Sequence, residues 1–245
     1  MYPIILQIGP FTIYSYGLLL ALASFVSIFL LTQEGKKQGF KADILLDFCF
    51  WILVSGIIGA RIFYILLNLH FFQENPKEIL MLWHGGLVWF GGLIAAIIFG
   101  ILFLKIKRQP ILKTLDLICP YAALAQAIGR IGCFLNGCCF GRPLGFGIFF
   151  PVHQMKLFPA QLLSTFNLII IFFILKLKQK KVSSEGEMLF FYLILISLER
   201  FILEFLRGDS PRIIWNLTIF QIFSLIILIV ALYGKNFLHS RNPRQ

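Results

Sequence analysis

The sequence predicts an all-α, polytopic membrane protein of about seven transmembrane helices, with its N-terminus outside and its C-terminus in the cytoplasm. Three observations predict it. The 245 residues are 59% hydrophobic and only 13% charged, with a mean hydropathy of +0.87, more apolar surface than a water-soluble chain of this size can hide. Apolar stretches of about 20 residues, the length that a bilayer core demands of a helix, recur with only short loops between them. Lys and Arg gather in alternate loops, as they do in proteins that cross a membrane repeatedly.

The first apolar stretch covers roughly 11–31. The segment MYPIILQIGPFTIYSYG has neither a basic n-region nor a small-residue cleavage pattern, so this stretch is expected to stay in the mature protein rather than leave as a signal peptide. The second, roughly 44–69, contains GARIFYIL with Arg61, and the third, roughly 86–106, follows His84 in HGGLVWFGG. The fourth, roughly 112–135, is the least apolar: it carries Asp116, Pro120 and Arg130 among small residues, AALAQAIG, a composition suited to close packing inside a bundle. Glycines, prolines and aromatics over about 136–158 suit an ordered outer loop lying at the interface. Three further stretches follow at roughly 159–177, 188–206 and 214–233. With no long polar segment and no internal repeat, residues 1–245 read as a single integral membrane domain.

Fourteen Lys and Arg residues fall in one set of loops and five (Lys77, Arg142, Lys156, Arg207 and Arg212) in the other. The positive-inside rule makes the first set cytoplasmic, and an odd number of spans agrees. The net charge of +11, which in a soluble chain would suggest nucleic acid, is accounted for by topology, and no nucleic-acid partner is expected.

Arg61, Arg130, Arg200 and Glu204 lie inside expected spans, where a central arginine costs about 2.5–3.5 kcal/mol on insertion scales. Spans two, four and six run outward, so all four fall in the outer half. Tyr16 begins the inward-running first span and His84 the inward-running third, at the same depth. ERFILEFLRGD sets Arg200, Glu204 and Arg207 on one helical face. An intrahelical pair of Arg200 with Glu204 could simply neutralise itself. It would leave Arg61 and Arg130 without an acidic residue at their depth unless Glu199 reaches one. Surplus guanidinium in an apolar cavity points to a phosphate-bearing ligand, and a phospholipid head group is the one at hand. His84 fits either a packing residue or a base near neutrality, and Gly85, Gly86, Gly91 and Gly92 fit close helix packing as well as ligand approach.

Of five cysteines, Cys49 and Cys119 stand singly in apolar runs, while Cys133, Cys138 and Cys139 gather at the outer face. No disulfide framework, zinc spacing or other metal-ligand pattern is visible, so no metal and no cofactor are expected. The outer-face cysteines keep a membrane thiol redox protein open as an alternative, and the arginines keep an anionic-solute transporter open.

The densest segment, GRIGCFLNGCCFGRP at 129–143, resembles the prolipoprotein diacylglyceryl transferase signature GRIGNFINGELWGR. Other pieces resemble that family's elements in order: YSYGLLLALA its first-span YG element, GARIFYIL its GGR element, HGGLVWFGG its HGG element, FPAQLL its HPxQLYE element and RFILEFLR its closing arginine motif. Three departures stand out: Cys133 replaces a common Asn, Cys138 a common Glu, and Leu163-Ser164 the Tyr-Glu that follows Gln161. The resemblance implies a bacterial inner-membrane transferase of lipoprotein biosynthesis. It would join the lipobox cysteine of a prolipoprotein, presented behind its signal peptide, to a diacylglyceryl group from phosphatidylglycerol. It implies roles for Tyr16, His84, Arg130, Gly141, Arg200 and Glu204. Taken with the charge reading, His84, Arg130 and Arg200 are the expected catalytic residues. Tyr16, Arg61, Asn136, Gly141, Arg142, Glu204 and Arg207 are the expected substrate-binding ones.

Overall fold

The computed structural model describes residues 1–8, 11–81, 85–180, 184–214 and 216–241. An antiparallel hairpin, β1 (Ile4–Ile8) and β2 (Phe11–Tyr14), leads into helix α1 (Ser15–Lys37). Buried Ser15 ties that junction, donating its hydroxyl to the Tyr2 carbonyl and its amide to that of Pro3. Then come α2 (Ala42–Leu67), α3 (Leu69–Glu74), a 3-10 turn (Pro76–Leu80), α4 (Trp89–Ile106) and α5 (Ile111–Asn136). A second antiparallel hairpin, β3 (Pro143–Phe150) and β4 (Met155–Leu157), fills the outer loop. Helices α6 (Ala160–Gln179) and α7 (Glu187–Leu206), a short hairpin of β5 (Arg212–Ile214) and β6 (Leu217–Thr218), and α8 (Ile219–Arg241) complete the chain.

Among the described residues, six helices (α1, α2, α4, α5, α6 and α8) are long and apolar enough to cross a membrane. About seven were expected. The difference is α7, which is 20 residues long and apolar on average but carries Glu199, Arg200 and Glu204 in its second half, more charge than a lipid-facing helix takes. Large apolar side chains such as Phe25, Phe50, Phe99, Phe173 and Ile229 stand outward on α1, α2, α4, α6 and α8, as helices solvated by acyl chains require. The chain is a multi-pass membrane protein.

The fold divides into two compact units, residues 32–114 and residues 1–31 with 115–245. In the first, α2 and α4 meet through glycines. A Cβ on Gly59 would come within 2.2 Å of the Ala95 Cβ and 2.7 Å of the Gly91 carbonyl, and one on Gly92 within 2.9 Å of the Gly56 carbonyl. Small residues therefore set the helix spacing where apolar surface alone gives no drive to associate. Arg61 is buried and spends all five N–H groups on main-chain carbonyls: Nε on Ile79 (3.2 Å), Nη1 on Gly85 and Gly86, Nη2 on Glu78 and Met81. Its guanidinium also stands 5.4 Å from the Phe72 ring and 5.7 Å from that of Tyr64.

In the second unit the small residues of α5 serve the expected close packing. Ala123 and Ala127 are buried against Leu168, Ile171 and Leu175 of α6 and Met188 and Tyr192 of α7, and Thr165 donates to the Ala127 carbonyl at 3.3 Å. Asp116 explains its place in an apolar helix by accepting from the backbone N–H groups of Gly186 (2.6 Å) and Leu189 (2.7 Å). Those are orphan donors of α7, so one helix caps another. At the far end of α7 the chain pairs with the segment following α5, through a bridge between Gly141 and Arg207 and a bond from the Arg142 amide to the Leu206 carbonyl at 3.0 Å. Helices α5 and α7 are thus pinned to each other at both ends.

Candidate active site

In the second unit, α5 and α7 end, and α1, α6 and α8 begin, around the outer-loop hairpin. Local rules put each element there. The TIFQ run forms a capping box in which the Thr218 amide donates to Gln221 Oε1 at 3.0 Å and the Gln221 amide to Thr218 Oγ1 at 3.3 Å, starting α8. Gly141 sits where three segments meet: its amide reaches the Phe158 carbonyl at 2.8 Å, and a Cβ there would lie 2.7 Å from Phe158 and 2.9 Å from the Leu206 carbonyl. Only a residue without a side chain fits that crossing.

The polar groups at this end form one network. Arg200 Nη2 lies 3.1 Å from Glu204 Oε2, and Glu204 Oε1 accepts from the Thr218 hydroxyl at 3.1 Å. Arg207 Nε approaches the same carboxylate at 3.8 Å while gripping Asp209 with two hydrogen bonds of 2.8 and 2.7 Å. These carboxylates hold the Arg207 pKa above its ordinary value despite burial. The Arg200 guanidinium also lies 4.6 Å from the Phe220 ring. Glu199 is buried and takes its hydrogen bond from Ser164 at 2.8 Å, not from a guanidinium.

Two arginines keep unused donors. Arg200 Nη1 is buried without a hydrogen bond, and half-buried Arg130 makes neither a hydrogen bond nor an ion pair among the described residues. Buried polar atoms in a native fold nearly always find partners. Of the five described buried side-chain atoms without a hydrogen bond, four belong to this end: Gln161 Oε1, Arg200 Nη1, Glu204 Oε2 and Gln221 Nε2. Glu204 Oε2 is held by the Arg200 and Arg207 charges, and the other three atoms have no hydrogen-bond partner among the described residues.

Tyr16 opens α1 here, its ring 3.3 Å from where a Cβ on Gly132 would stand and within electrostatic reach of Arg130. Asn136 closes α5 and interacts with Cys138. Arg142 is exposed. Eight of the ten expected site residues thus lie in this unit. Arg61 belongs to the other unit, and His84 lies outside the described residues. Charge alone overlooked Gln161, whose Nε2 donates to the Cys138 carbonyl at 2.6 Å, as well as Ser164 and Thr218. The TxxQ spacing was the signal available for the last.

The outer-face cysteines also converge. The sulfurs of Cys133, Cys138 and Cys139 all lie within 4.8 Å of one another, and all five cysteines are free thiols. Hydrogen bonds from Cys133 and Cys138, and then the Arg207 and Arg130 charges, hold the Cys139 thiol below its ordinary pKa.

The family model described as prolipoprotein diacylglyceryl transferase matches residues 3–235. A Clostridium tetani protein named phosphatidylglycerol--prolipoprotein diacylglyceryl transferase is 34% identical over 244 residues, covering 96% of this chain and 97% of its own. Proteins of the same name from Bacillus licheniformis (30% identical, 94% and 89% covered) and Nostoc sp. (32%, 98% and 90%) are similar throughout. None of these relatives is named as a redox protein or a transporter.

Proposed function

The chain belongs to the prolipoprotein diacylglyceryl transferase family, and from that premise we propose how it acts. It transfers a diacylglyceryl group from phosphatidylglycerol to the lipobox cysteine thiol of a prolipoprotein. A carbon–oxygen bond to the phosphate breaks, a carbon–sulfur bond forms, the thiol proton goes to a base, and glycerol phosphate leaves. The reaction runs in the bacterial cytoplasmic membrane on the outer-leaflet side of one integral domain with seven spans, α7 being the seventh. The distribution of Lys and Arg supports that orientation.

The observation that carries the mechanism is the unspent guanidinium capacity at one end of the second unit, Arg200 Nη1 and the whole of Arg130. A leaving phosphate gathers negative charge, and preorganised donors in a dry site stabilise it without reorganisation. Arg130 and Arg200 take its oxygens as planar forks that stay charged at any relevant pH. Glu204 fixes the direction of Arg200, and Arg207, held by Asp209, sets the Glu204 carboxylate from its other side. Tyr16 and Asn136 hydrogen-bond the head group. Gly141 lets the loop pass close to α7, and exposed Arg142 meets lipid phosphates at the rim. His84 is the base for the incoming thiol, supported by the HGG element alone. Arg61 serves that residue indirectly, since the carbonyls it grips belong to Glu78, Ile79, Met81, Gly85 and Gly86.

The test is transfer to a lipobox peptide in phosphatidylglycerol liposomes. Arg130→Ala and Arg200→Ala are expected to insert and fold, yet to lose transfer. Normal transfer by either variant would remove this site. Complementation of a strain depleted of its own transferase tests the same activity in cells.

A further inference from the structure

We propose that Cys133, Cys138 and Cys139 form a three-thiolate site for copper(I). A CxxxxCC spacing read along the chain does not announce a metal site, because Cys133 lies in the last turn of α5 while the other two lie in a loop. The fold removes that separation and brings all three sulfurs within 4.8 Å of one another. Sulfurs each about 2.3 Å from a shared ion stand ~4 Å apart, so rotation of the side chains by less than an ångström closes the site.

The backbone geometry favours a ligand there. Cys139 adopts φ +63°, a left-handed conformation that a residue with a Cβ rarely takes unless its surroundings impose it. Along an extended strand, neighbouring side chains point to opposite faces; the left-handed turn instead leaves two adjacent thiols on the same side, facing Cys133. Three thiols bind copper(I) by releasing three protons to solvent, giving a dianionic cluster.

Ligand chemistry selects the ion. Thiolates are soft donors that favour copper(I), and a three-sulfur set satisfies its trigonal preference. Structural zinc takes four ligands, and no His, Asp or Glu joins the three cysteines in this group among the described residues. Cys138 and Cys139 are partly exposed and Cys133 is buried, so an ion enters from the loop side and ends against the helix. Loading joins α5 to the loop.

Full-length reduced protein in detergent, titrated anaerobically with copper(I) against a chromophoric copper(I) chelator, tests this. One equivalent is expected to be retained, with an X-ray absorption spectrum showing sulfur neighbours only. The Cys133→Ser/Cys138→Ser/Cys139→Ser protein is expected to retain none, and the Cys49→Ser/Cys119→Ser protein one. Spectroscopy on the unaltered chain keeps the test valid if the triple variant fails to fold. Nitrogen or oxygen neighbours, zinc(II) held in preference, or retention unchanged in the triple variant would overturn the site. The readout is metal binding, so it stands apart from whether lipid transfer is observed.

Discussion

At the scale of single residues, the most informative contrast is between arginines that are spent and arginines that are not. Arg61 gives every donor to main-chain carbonyls, whereas Arg130 gives none among the described residues. Arg130→Lys therefore keeps a positive charge but loses the planar fork, and a drop in kcat/KM of about 100-fold is expected, with near-complete loss for alanine. Equal activity of the lysine variant in a liposome assay would mean that charge alone suffices. Glu204→Gln keeps an acceptor for Thr218 yet removes the anion shared by Arg200 and Arg207. The expected result is about tenfold weaker transfer with retained folding. The sequence made the charged members legible, because Arg and Glu in an apolar run are conspicuous by their transfer cost. Gln161 and Ser164 were not legible from charge, since uncharged polar residues on a helix are common and only the fold shows both buried, Gln161 on the Cys138 carbonyl and Ser164 on Glu199.

At the scale of elements, the helices were readable because each apolar run has to be about as long as the bilayer is thick. The three hairpins were not, for their residues are as apolar and aromatic as the spans that they adjoin. The Gly-rich third span was open between packing and ligand approach. The 2.2 Å clearance between a Gly59 Cβ and Ala95 shows packing to be one demand on its helix pair. Gly59→Leu should accordingly prevent α2 and α4 from closing, and detergent-solubilised protein should lose its thermal transition or shift it down by several degrees. An unchanged melting curve would mean that the two helices do not meet there. The α8 capping box is a gentler case. Thr218→Ala removes one bond from the box and another from Glu204, so about 1 kcal/mol of stability should be lost together with some transferase activity. A loss of stability with full activity would separate the cap from the orientation of Glu204.

At the scale of the whole molecule, everything turns on whether α7 crosses the membrane. Its composition argues against, since Glu199, Arg200 and Glu204 interrupt it. Its attachments argue for. Asp116, early in α5, holds the backbone at Gly186 and Leu189, and the segment just after α5 pairs with Arg207 and Leu206. A helix of 20 residues spans about 30 Å, and α7 is fastened to α5 near both ends of that length. If α5 crosses, α7 crosses beside it in the same direction, its charges sheltered by α5, α6 and α8 from the acyl chains. Parity gives the consequence: seven crossings put the termini on opposite sides, six on the same side. Alkaline phosphatase is active only outside the cytoplasm, so fusions in the β3–β4 hairpin and at Ser210 should be active, and fusions at Gly39, after Gln109 and at the C-terminus inactive. The C-terminal fusion decides. Activity there, with the Gly39 fusion silent, would mean that α7 does not cross, and would put the two ends of the α5–α7 pair in conflict with the bilayer.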